Sequence, residues 1–516
     1  MANISTAANI SAATVARPHF HASHSVLPRQ FGLPRNLVLF LLLQAIAWTL
    51  IPPMVTHALT INTAELAMWT HEPFIVNYKH PGLITWVVWL AYDLFGTHLW
   101  VPYLVAQLFI TSTYLFVFLL GRDILGERRA LAGTLLLIGI SYFTLSALKL
   151  NHNTVQMPLW AALCWALWRA SMRKTLFWWL LVATIAAAGL YSKFSSGMPL
   201  AFGALWIVSD RDTRAQLKTP APYLGLGLFL LLMVPLLVAL IEINFLPFKW
   251  LAAESAEKGV STSKFLFGQL RQVWGLPVLA VLVGLISFGK GRRADEDIAE
   301  LPAPKRYRRY LLIMGAGPLA MVIAMAFASK LRVEWTTPMF NLVGLLLVSA
   351  IPIGQFTAGR LRRLSYLAGT LSLVVLAVFS GLVINNQYRS KTAWIVNWPA
   401  AEISQRMQTI WQQRTGAPLR IIGGATWISS LTGLAAPSAP ALFTRLDPVT
   451  TPSMTTARLQ RDGVLVLWNA DPAGWQPPAD LLQKYEHGTE CFTWSTNPAA
   501  EPLIVNYAII PPAPAS

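Results

Sequence analysis

Long apolar runs recur from about residue 37 to residue 386 of this 516-residue chain. A run of roughly 18 or more apolar residues can cross the ~30 Å hydrocarbon core of a bilayer as a helix. We predict eleven such spans, which begin near Leu37, Leu99, Ala130, Thr154, Thr175, Ser196, Pro222, Leu276, Tyr310, Met339 and Leu364. The chain is therefore expected to be an α-helical polytopic membrane protein.

The composition agrees with this class, because 55% of the residues are hydrophobic and only 12% are charged. A soluble domain usually carries about twice that share of charge. The net charge is +17, but most basic residues flank the apolar runs, so no nucleic-acid partner is expected. Cys164 lies inside an apolar run and Cys491 lies near the C-terminus, so neither a disulfide nor a metal site is indicated.

Lysine and arginine are more frequent in alternate loops, which favours a cytoplasmic N-terminus. Residues 1–36 lack the apolar core of a cleavable signal peptide and are predicted to be a disordered cytoplasmic tail. The run Leu83–Phe95 is short for a span, and a re-entrant or interfacial helix fits it better. Residues 37–386 then form the membrane domain, and eleven spans place the C-terminus outside.

Residues 387–516 are of mixed polarity and contain no spanning run. AAEISQRMQTIWQQRTG has the pattern of an amphipathic helix, and PLRIIGGATW, ALFTRL, GVLVLWNAD and LIVNYAII have the pattern of strands. A small α/β domain on the outer face is expected. Its Gly-Gly pair is more typical of a turn than of a phosphate-binding loop.

With this topology, polar and charged residues gather at the outer ends of several spans. Each has an ordinary interpretation, since lysine and tryptophan often lie at membrane interfaces and asparagine often caps a helix. Their convergence on one face instead favours a functional site. The candidates are Asn62, Glu65, Tyr78, Lys79, His80, Asn151, His152, Asn153, Lys193, Arg332 and Trp335.

This combination of groups suits transfer of a group from a lipid phosphate. Cations would stabilise the anionic leaving group, and Lys79, Lys193 and Arg332 are the candidates for that phosphate clamp. Glu65 or His80 could accept the proton of the attacking hydroxyl. The remaining candidates would contact the sugar or the acceptor. The carboxylates near them are too few and too scattered to predict a metal site, and no cofactor is expected.

At these residues the chain resembles a known family. The loop NTAE, YKHPGLITW, FGTHLWVPYLVAQL, LGRDILGERRALAGTLLL, LNHNTVQMPLWAAL and GLYSKFS together resemble bacterial polyprenol-phosphate-dependent glycosyltransferases of the GT-C class. Protein mannosyltransferases, the lipid A aminoarabinose transferase and rhizobial galacturonosyltransferases are in this group. The resemblance covers about residues 37–400, and the C-terminal region resembles the outer domain of one bacterial subgroup.

The resemblance implies a GT-C-like fold of about eleven spans with interfacial helices and a small α/β outer domain. It implies an inverting transfer of a sugar from a polyprenyl phosphate to lipid A, another glycolipid, a glycan or a protein, on the periplasmic face of a bacterial inner membrane. Glu65 would be the catalytic acid of the first outer loop. Relatives often have an aspartate near Asn62 and a second proline where this chain has Gly82.

Three other functions stay open from the sequence. A lipid-linked sugar transporter or flippase would also be polytopic and cation-lined, but it predicts charged residues at mid-membrane depth and an inverted repeat, and neither is evident. A catalytically weakened relative is a second alternative. A binding or scaffold protein is a third, although it leaves the outer-face residues unexplained.

Overall fold

The computed structural model describes residues 32–286, 305–470, 474–494 and 496–513. The predicted tail 1–36 lies outside these ranges as far as Phe31, and the first helix begins at Arg35. Up to Arg389 the described chain is almost entirely helical. Its α-helices are Arg35–Val55, Ile61–Met68, Leu83–Phe95, Val101–Leu125, Glu127–Leu136, His152–Arg173, Leu176–Ser192, Gly197–Ser209, Arg211–Ala215, Ala221–Glu242, Leu246–Lys258, Thr262–Val273, Gly275–Leu282, Lys305–Leu311, Gly317–Ala328, Val343–Ser349 and Ala358–Arg389.

Within the described ranges, six helical segments are long and apolar enough to cross a membrane, or seven if one bent pair is a single span. The six are Arg35–Val55, Val101–Leu125, Ala221–Glu242, Thr262–Leu282, Lys305–Ala328 and Ala358–Arg389. The bent pair joins Glu127–Gly139 to Ser141–Leu148 at an angle of 88°. The polytopic helical class is confirmed, whereas the count of eleven spans and the orientation stay predictions.

One predicted boundary differs from the structure. We expected a span from Leu276 onwards, but the apolar helical segment already begins at Thr262. Lys264 and Arg271 interrupt the apolar run in the sequence, yet both are on the exposed side of the helix while Phe265 is buried. Because charge on one face does not prevent an amphipathic helix, the loop before this segment is shorter than the sequence suggested.

The short helix Leu83–Phe95 has the bounds expected from the sequence. It begins directly after Pro81 and Gly82 and ends at Gly96, whose φ of +78° suits a glycine. Ile84 and Val88 are buried, whereas Leu90 and Leu94 are exposed. This one-sided burial matches a helix that lies against the protein with its other face outward.

The C-terminal region contains a five-stranded mixed sheet of β1 (Ile421–Gly424), β2 (Ala441–Thr444), β3 (Val464–Asn469), β4 (Glu486–Phe492) and β5 (Leu503–Ile510). The order is β2-β1-β3-β5-β4, with β1 parallel to β2 and β3, and β5 antiparallel to β3 and β4. Its helices are Ala400–Thr415, Thr426–Leu434, Thr456–Asp462 and Ala479–Lys484. The predicted small α/β domain is confirmed.

Two details of this domain refine the sequence interpretation. Strand β4 was not predicted, because EHGTECF is polar and forms a largely exposed edge strand. The glycine pair ends β1, and a Cβ atom on Gly424 would lie 2.3 Å from the Leu467 carbonyl oxygen. These glycines therefore permit close strand packing.

The C-terminal domain, called the outer domain after its predicted location, packs directly on the loop after helix Arg35–Val55, which is likewise called the first outer loop. Helix Ile61–Met68 lies against helix Thr426–Leu434, and a Cβ atom on Gly433 would lie 2.3 Å from Met68 Cε. Buried residues of both elements belong to one apolar cluster that continues into the membrane domain. Helix Ile61–Met68, which carries Glu65, is therefore held between the two parts of the protein.

Candidate active site

The segment NYKHPG forms a tight turn that is closed by its first residue. The Asn77 side-chain oxygen accepts hydrogen bonds from the backbone N–H groups of Lys79 (2.9 Å) and His80 (2.8 Å). The Asn77 N–H donates to the His80 carbonyl at 3.0 Å, and Val76 and Pro81 form a β-bridge. An asparagine that bonds its own following backbone is a common turn device. The turn fixes the positions of the Lys79 and His80 side chains.

Gly82 allows the next helix to begin against this turn. Its N–H donates to the Ile75 carbonyl at 2.8 Å, and a Cβ atom here would lie 2.0 Å from the Phe74 carbonyl oxygen. The same Phe74 oxygen accepts a hydrogen bond from Trp86 Nε1 at 2.8 Å. The glycine that stands where relatives often have proline is therefore required by close packing.

Glu65, Tyr78 and Lys79 form one bonded group. Lys79 Nζ lies 2.7 and 2.8 Å from the two carboxylate oxygens of Glu65, and the Tyr78 hydroxyl donates to one of them at 3.0 Å. The Glu65 and Lys79 side chains are only 6% and 19% exposed. Burial and the adjacent Glu65 charge hold the pKa of Tyr78 well above its usual value, so its hydroxyl stays a donor. Both oxygens of Glu65 are thus occupied.

His80 stacks on His152 beside this group. The two ring centroids are 3.8 Å apart with an interplanar angle of 28°, and the buried Nε2 atom of His152 has no hydrogen-bond partner among the described residues. Burial lowers the pKa of His80 well below its usual value, and His152, Lys193 and Lys79 lower it further. His80 is therefore a neutral imidazole near pH 7.

Lys193 joins the cluster through Asn153, whose side-chain oxygen accepts a hydrogen bond from Lys193 Nζ. Burial lowers the pKa of Lys193 to about 8, with Glu334 raising it and Arg332 lowering it. This ammonium group therefore loses its charge at a pH far closer to neutral than an exposed lysine does.

Other candidates have structural partners of their own. The Asn151 side chain accepts from the N–H groups of Asn153 and Thr154 and caps helix His152–Arg173, which is the ordinary interpretation of an asparagine there. Arg332 pairs with Glu254 at 2.5 Å and also with Glu334. Its charge is therefore compensated by two carboxylates.

Asn62 and Trp335 lie at the margins. Asn62 is exposed in the first turn of helix Ile61–Met68. Trp335 packs partly buried against an apolar cluster that includes Phe265 and Leu331. The structure gives neither side chain a hydrogen bond to the bonded group of Glu65, among the described residues.

Two features of the site were not predicted from the sequence. Trp250, on helix Leu246–Lys258, lies 5.6 Å by ring centroid from His80 and 5.6 Å from Lys79 Nζ. The outer domain also reaches the site, because Thr444 and Arg445 interact with Tyr78. The sequence signal for Trp250 was its position between two predicted spans, and that signal is weak because interfacial tryptophans are common.

His71 and Glu72, in the loop that contains Lys79, attach the outer domain beside the site. His71 Nδ1 lies 2.9 Å from the Pro440 carbonyl oxygen, and Glu72 pairs with Arg458. Burial lowers the pKa of His71. A cavity of about 660 Å³ elsewhere on the outer domain is lined by helix Ala400–Thr415 and includes none of the cluster residues.

Comparison with known proteins bears on the segment that contains most of this cluster. Residues 79–238 match the family model described as dolichyl-phosphate-mannose-protein mannosyltransferase. A search of curated proteins gave no significant match.

Solved structures give the fold. ArnT from Cupriavidus metallidurans bound to undecaprenyl phosphate superposes with a TM-score of 0.62 at 11% identity, covering 91% of this chain and 97% of that one. The apo state of the same protein gives 0.60 at 14% identity with the same coverage. The predicted resemblance is therefore confirmed: the chain has the fold of ArnT and, over residues 79–238, a sequence similar to the mannosyltransferase family.

Proposed function

We propose that the protein is a membrane glycosyltransferase that moves a sugar from a polyprenyl phosphate to an envelope acceptor on the periplasmic face of a bacterial inner membrane. One observation carries the proposal. A buried carboxylate, Glu65, is bonded to Lys79, and a second partly buried lysine, Lys193, lies close by in a chain of this fold. The match to the mannosyltransferase family supports the same reaction class.

The lysines provide the phosphate site in this proposal. Lys79 and Lys193 would donate charge-assisted hydrogen bonds to the phosphate oxygens, which become more negative as the bond to the sugar breaks. Arg332 contributes little positive charge to this clamp, because Glu254 and Glu334 already bind its guanidinium. The clamp is therefore centred on the two lysines.

Glu65 accepts the proton in the transfer step. The acceptor oxygen forms a bond to the anomeric carbon of the sugar, and the bond from that carbon to the phosphate oxygen breaks. Its electron pair stays on the polyprenyl phosphate, and the hydroxyl proton passes to Glu65. Attack from the side opposite the leaving phosphate inverts the anomeric carbon. Glu65 becomes available as a base when the phosphate takes over its bond to Lys79.

The remaining site residues would surround the sugar and the acceptor. His80 is neutral and its ring makes no hydrogen bond to another described residue, so its ring nitrogens can bond to sugar hydroxyls. His152 supports the His80 ring by stacking, and Asn153 orients Lys193. Asn151 shapes the site indirectly as a helix cap.

The proposal is tested in cells that make the wild-type chain, Lys79→Ala or no chain, with the two chains at equal membrane level. Envelope glycolipids and glycans are compared by mass spectrometry. We expect one sugar mass to be absent from both the deletion and the Lys79→Ala strain. If the deletion loses a sugar while Lys79→Ala retains it in full, a transport function replaces this proposal. An unchanged envelope in the deletion strain rejects both.

A further inference from the structure

Trp250 is an aromatic side chain turned toward the reacting groups. Its ring meets the His80 ring at 70°, with 5.6 Å between the centroids, and Lys79 Nζ lies over its face at 5.6 Å. The side chain is only partly buried. It is therefore a wall of the site with surface left to contact a ligand.

The chain is bent sharply to bring this helix to the site. Asn244 and Phe245, directly before helix Leu246–Lys258, have φ values of 51° and 53°, a left-handed conformation that asparagine tolerates but that is unfavourable for phenylalanine. Glu254, one turn after Trp250 on the same helix, is buried and bonded to Arg332. Strained backbone of this kind persists only where the surrounding contacts hold it.

The position of Lys79 fixes where a donor sugar must lie. A lysine nitrogen binds a phosphate oxygen at about 2.7–2.9 Å, and the sugar is attached directly to that phosphate. The sugar ring therefore begins within a few ångströms of Lys79 Nζ. Two aromatic rings lie at that range, Tyr78 at 5.2 Å and Trp250 at 5.6 Å. Tyr78 is buried with its hydroxyl on Glu65, so only Trp250 is free to contact a sugar.

We propose that the Trp250 indole packs against the C–H face of the donor sugar and selects among polyprenyl-phosphate sugars by the shape of that face. This inference rests on the proposed function. Aromatic side chains supply a large, rigid apolar surface next to polar groups, as ligand sites commonly do. In this site His80 would bond to the hydroxyls at the sugar edge while Trp250 contacts its face.

An ordinary membrane-interface tryptophan provides the matched control. Trp89 lies on the helix Leu83–Phe95, which was predicted to be re-entrant or interfacial, is 49% exposed and has no ring contact with the cluster among the described residues. If Trp250 served only as an interfacial anchor, replacing either tryptophan would have the same kind of effect. If it contacts the sugar, only Trp250 affects recognition of the donor.

The test uses purified full-length protein in lipid nanodiscs and two kinds of probe. Binding is measured for undecaprenyl phosphate and for its mannose, galactose, galacturonic acid and aminoarabinose glycosides. We expect at least one glycoside to bind wild-type protein more tightly than the sugar-free lipid. Trp250→Ala should abolish that gain of roughly threefold to tenfold, weaken sugar-free lipid binding by less than it weakens glycoside binding, and be partly rescued by Trp250→Phe. Trp89→Ala should behave as wild type.

The outcomes separate this inference from the proposed function. If Trp250→Ala keeps the gain, or if no glycoside binds wild type more tightly than undecaprenyl phosphate, the sugar contact is rejected. If Lys79→Ala binds every lipid as wild type does, the phosphate site itself is wrong. A Trp250→Ala protein that binds no lipid at all is checked with Trp250→Phe, and loss of sugar-free binding there too rejects the sugar contact.

Discussion

Replacing Glu65 by glutamine separates two roles of its carboxylate, which pairs with Lys79 and accepts the proton in the proposed sugar transfer. Both carboxylate oxygens bind Lys79, at 2.7 and 2.8 Å, so a lipid phosphate must compete with Glu65 for the ammonium group. A hydrogen bond to a charged group contributes a net ~1.5–3 kcal/mol. Glutamine keeps the size of the side chain but removes its negative charge. We therefore expect Glu65→Gln to bind undecaprenyl phosphate about 10-fold to 100-fold more tightly.

The same substitution should nearly abolish sugar transfer. A positioned base contributes roughly 10²-fold to 10⁴-fold to a rate, and an amide cannot accept the proton. Glu65→Gln should therefore combine tighter binding of the lipid phosphate with a loss of kcat of at least about 100-fold. Unfolding would not produce that combination, because it would weaken both lipid-phosphate binding and sugar transfer.

The assay measures undecaprenyl phosphate affinity in nanodiscs and sugar transfer in cells that make each variant at equal level. Glu72→Gln is the matched control, because Glu72 lies in the same loop but pairs with Arg458 of the outer domain. It should leave both properties near wild type. Weaker lipid binding by Glu65→Gln, or transfer at the wild-type rate, would refute the competition between Glu65 and the phosphate for Lys79.

Two further predictions concern charge and packing. Because burial lowers the pKa of Lys193 to about 8, its positive charge is lost as the pH rises through that value. A phosphate monoester is already doubly charged there. Affinity for undecaprenyl phosphate should therefore fall between pH 7 and pH 9, and Lys193→Gln should remove this fall, as binding titrations across that range would show. Gly82→Ala would place Cβ 2.0 Å from the Phe74 carbonyl oxygen and should lower the free energy of unfolding by about 1–3 kcal/mol. Gly227→Ala, in open space, should not, and thermal unfolding in detergent compares the two.

Much of the architecture could be predicted because it depends on local sequence pattern. The helix Leu83–Phe95 follows from an apolar run bounded by Pro81-Gly82 and Gly96. Helix Ala400–Thr415 ends at Gly416, where φ is +65° and glycine is favoured. The ends of these helices are set by adjacent proline and glycine residues, so the sequence is enough to place them.

The partners of charged residues could not be predicted in this way. Lys79 was expected to be a phosphate ligand, and the structure adds that it is bonded to Glu65. Arg332 is compensated by Glu254, 78 residues away in sequence. Such pairs depend on how distant helices pack. The Asn151 side chain, in contrast, makes a local cap of the kind that the sequence pattern already offered.

The missed site residue illustrates the same limit. Trp250 reaches Lys79 only because the chain turns at Asn244 and Phe245 and because Glu254 fixes the helix on Arg332. Neither the turn nor the ion pair has a sequence signature. The edge strand β4 was missed for a different reason. Its residues are mostly polar and exposed, so the sequence lacks the alternation of apolar and polar residues that indicates a strand.

The most direct measurement is the structure of the full-length protein in nanodiscs with undecaprenyl phosphate bound. We predict a phosphate oxygen within about 3 Å of Lys79 Nζ, with Lys193 adjacent and the Glu65 carboxylate released from the lysine. A phosphate bound elsewhere, with the bond between Lys79 and Glu65 intact, would contradict it.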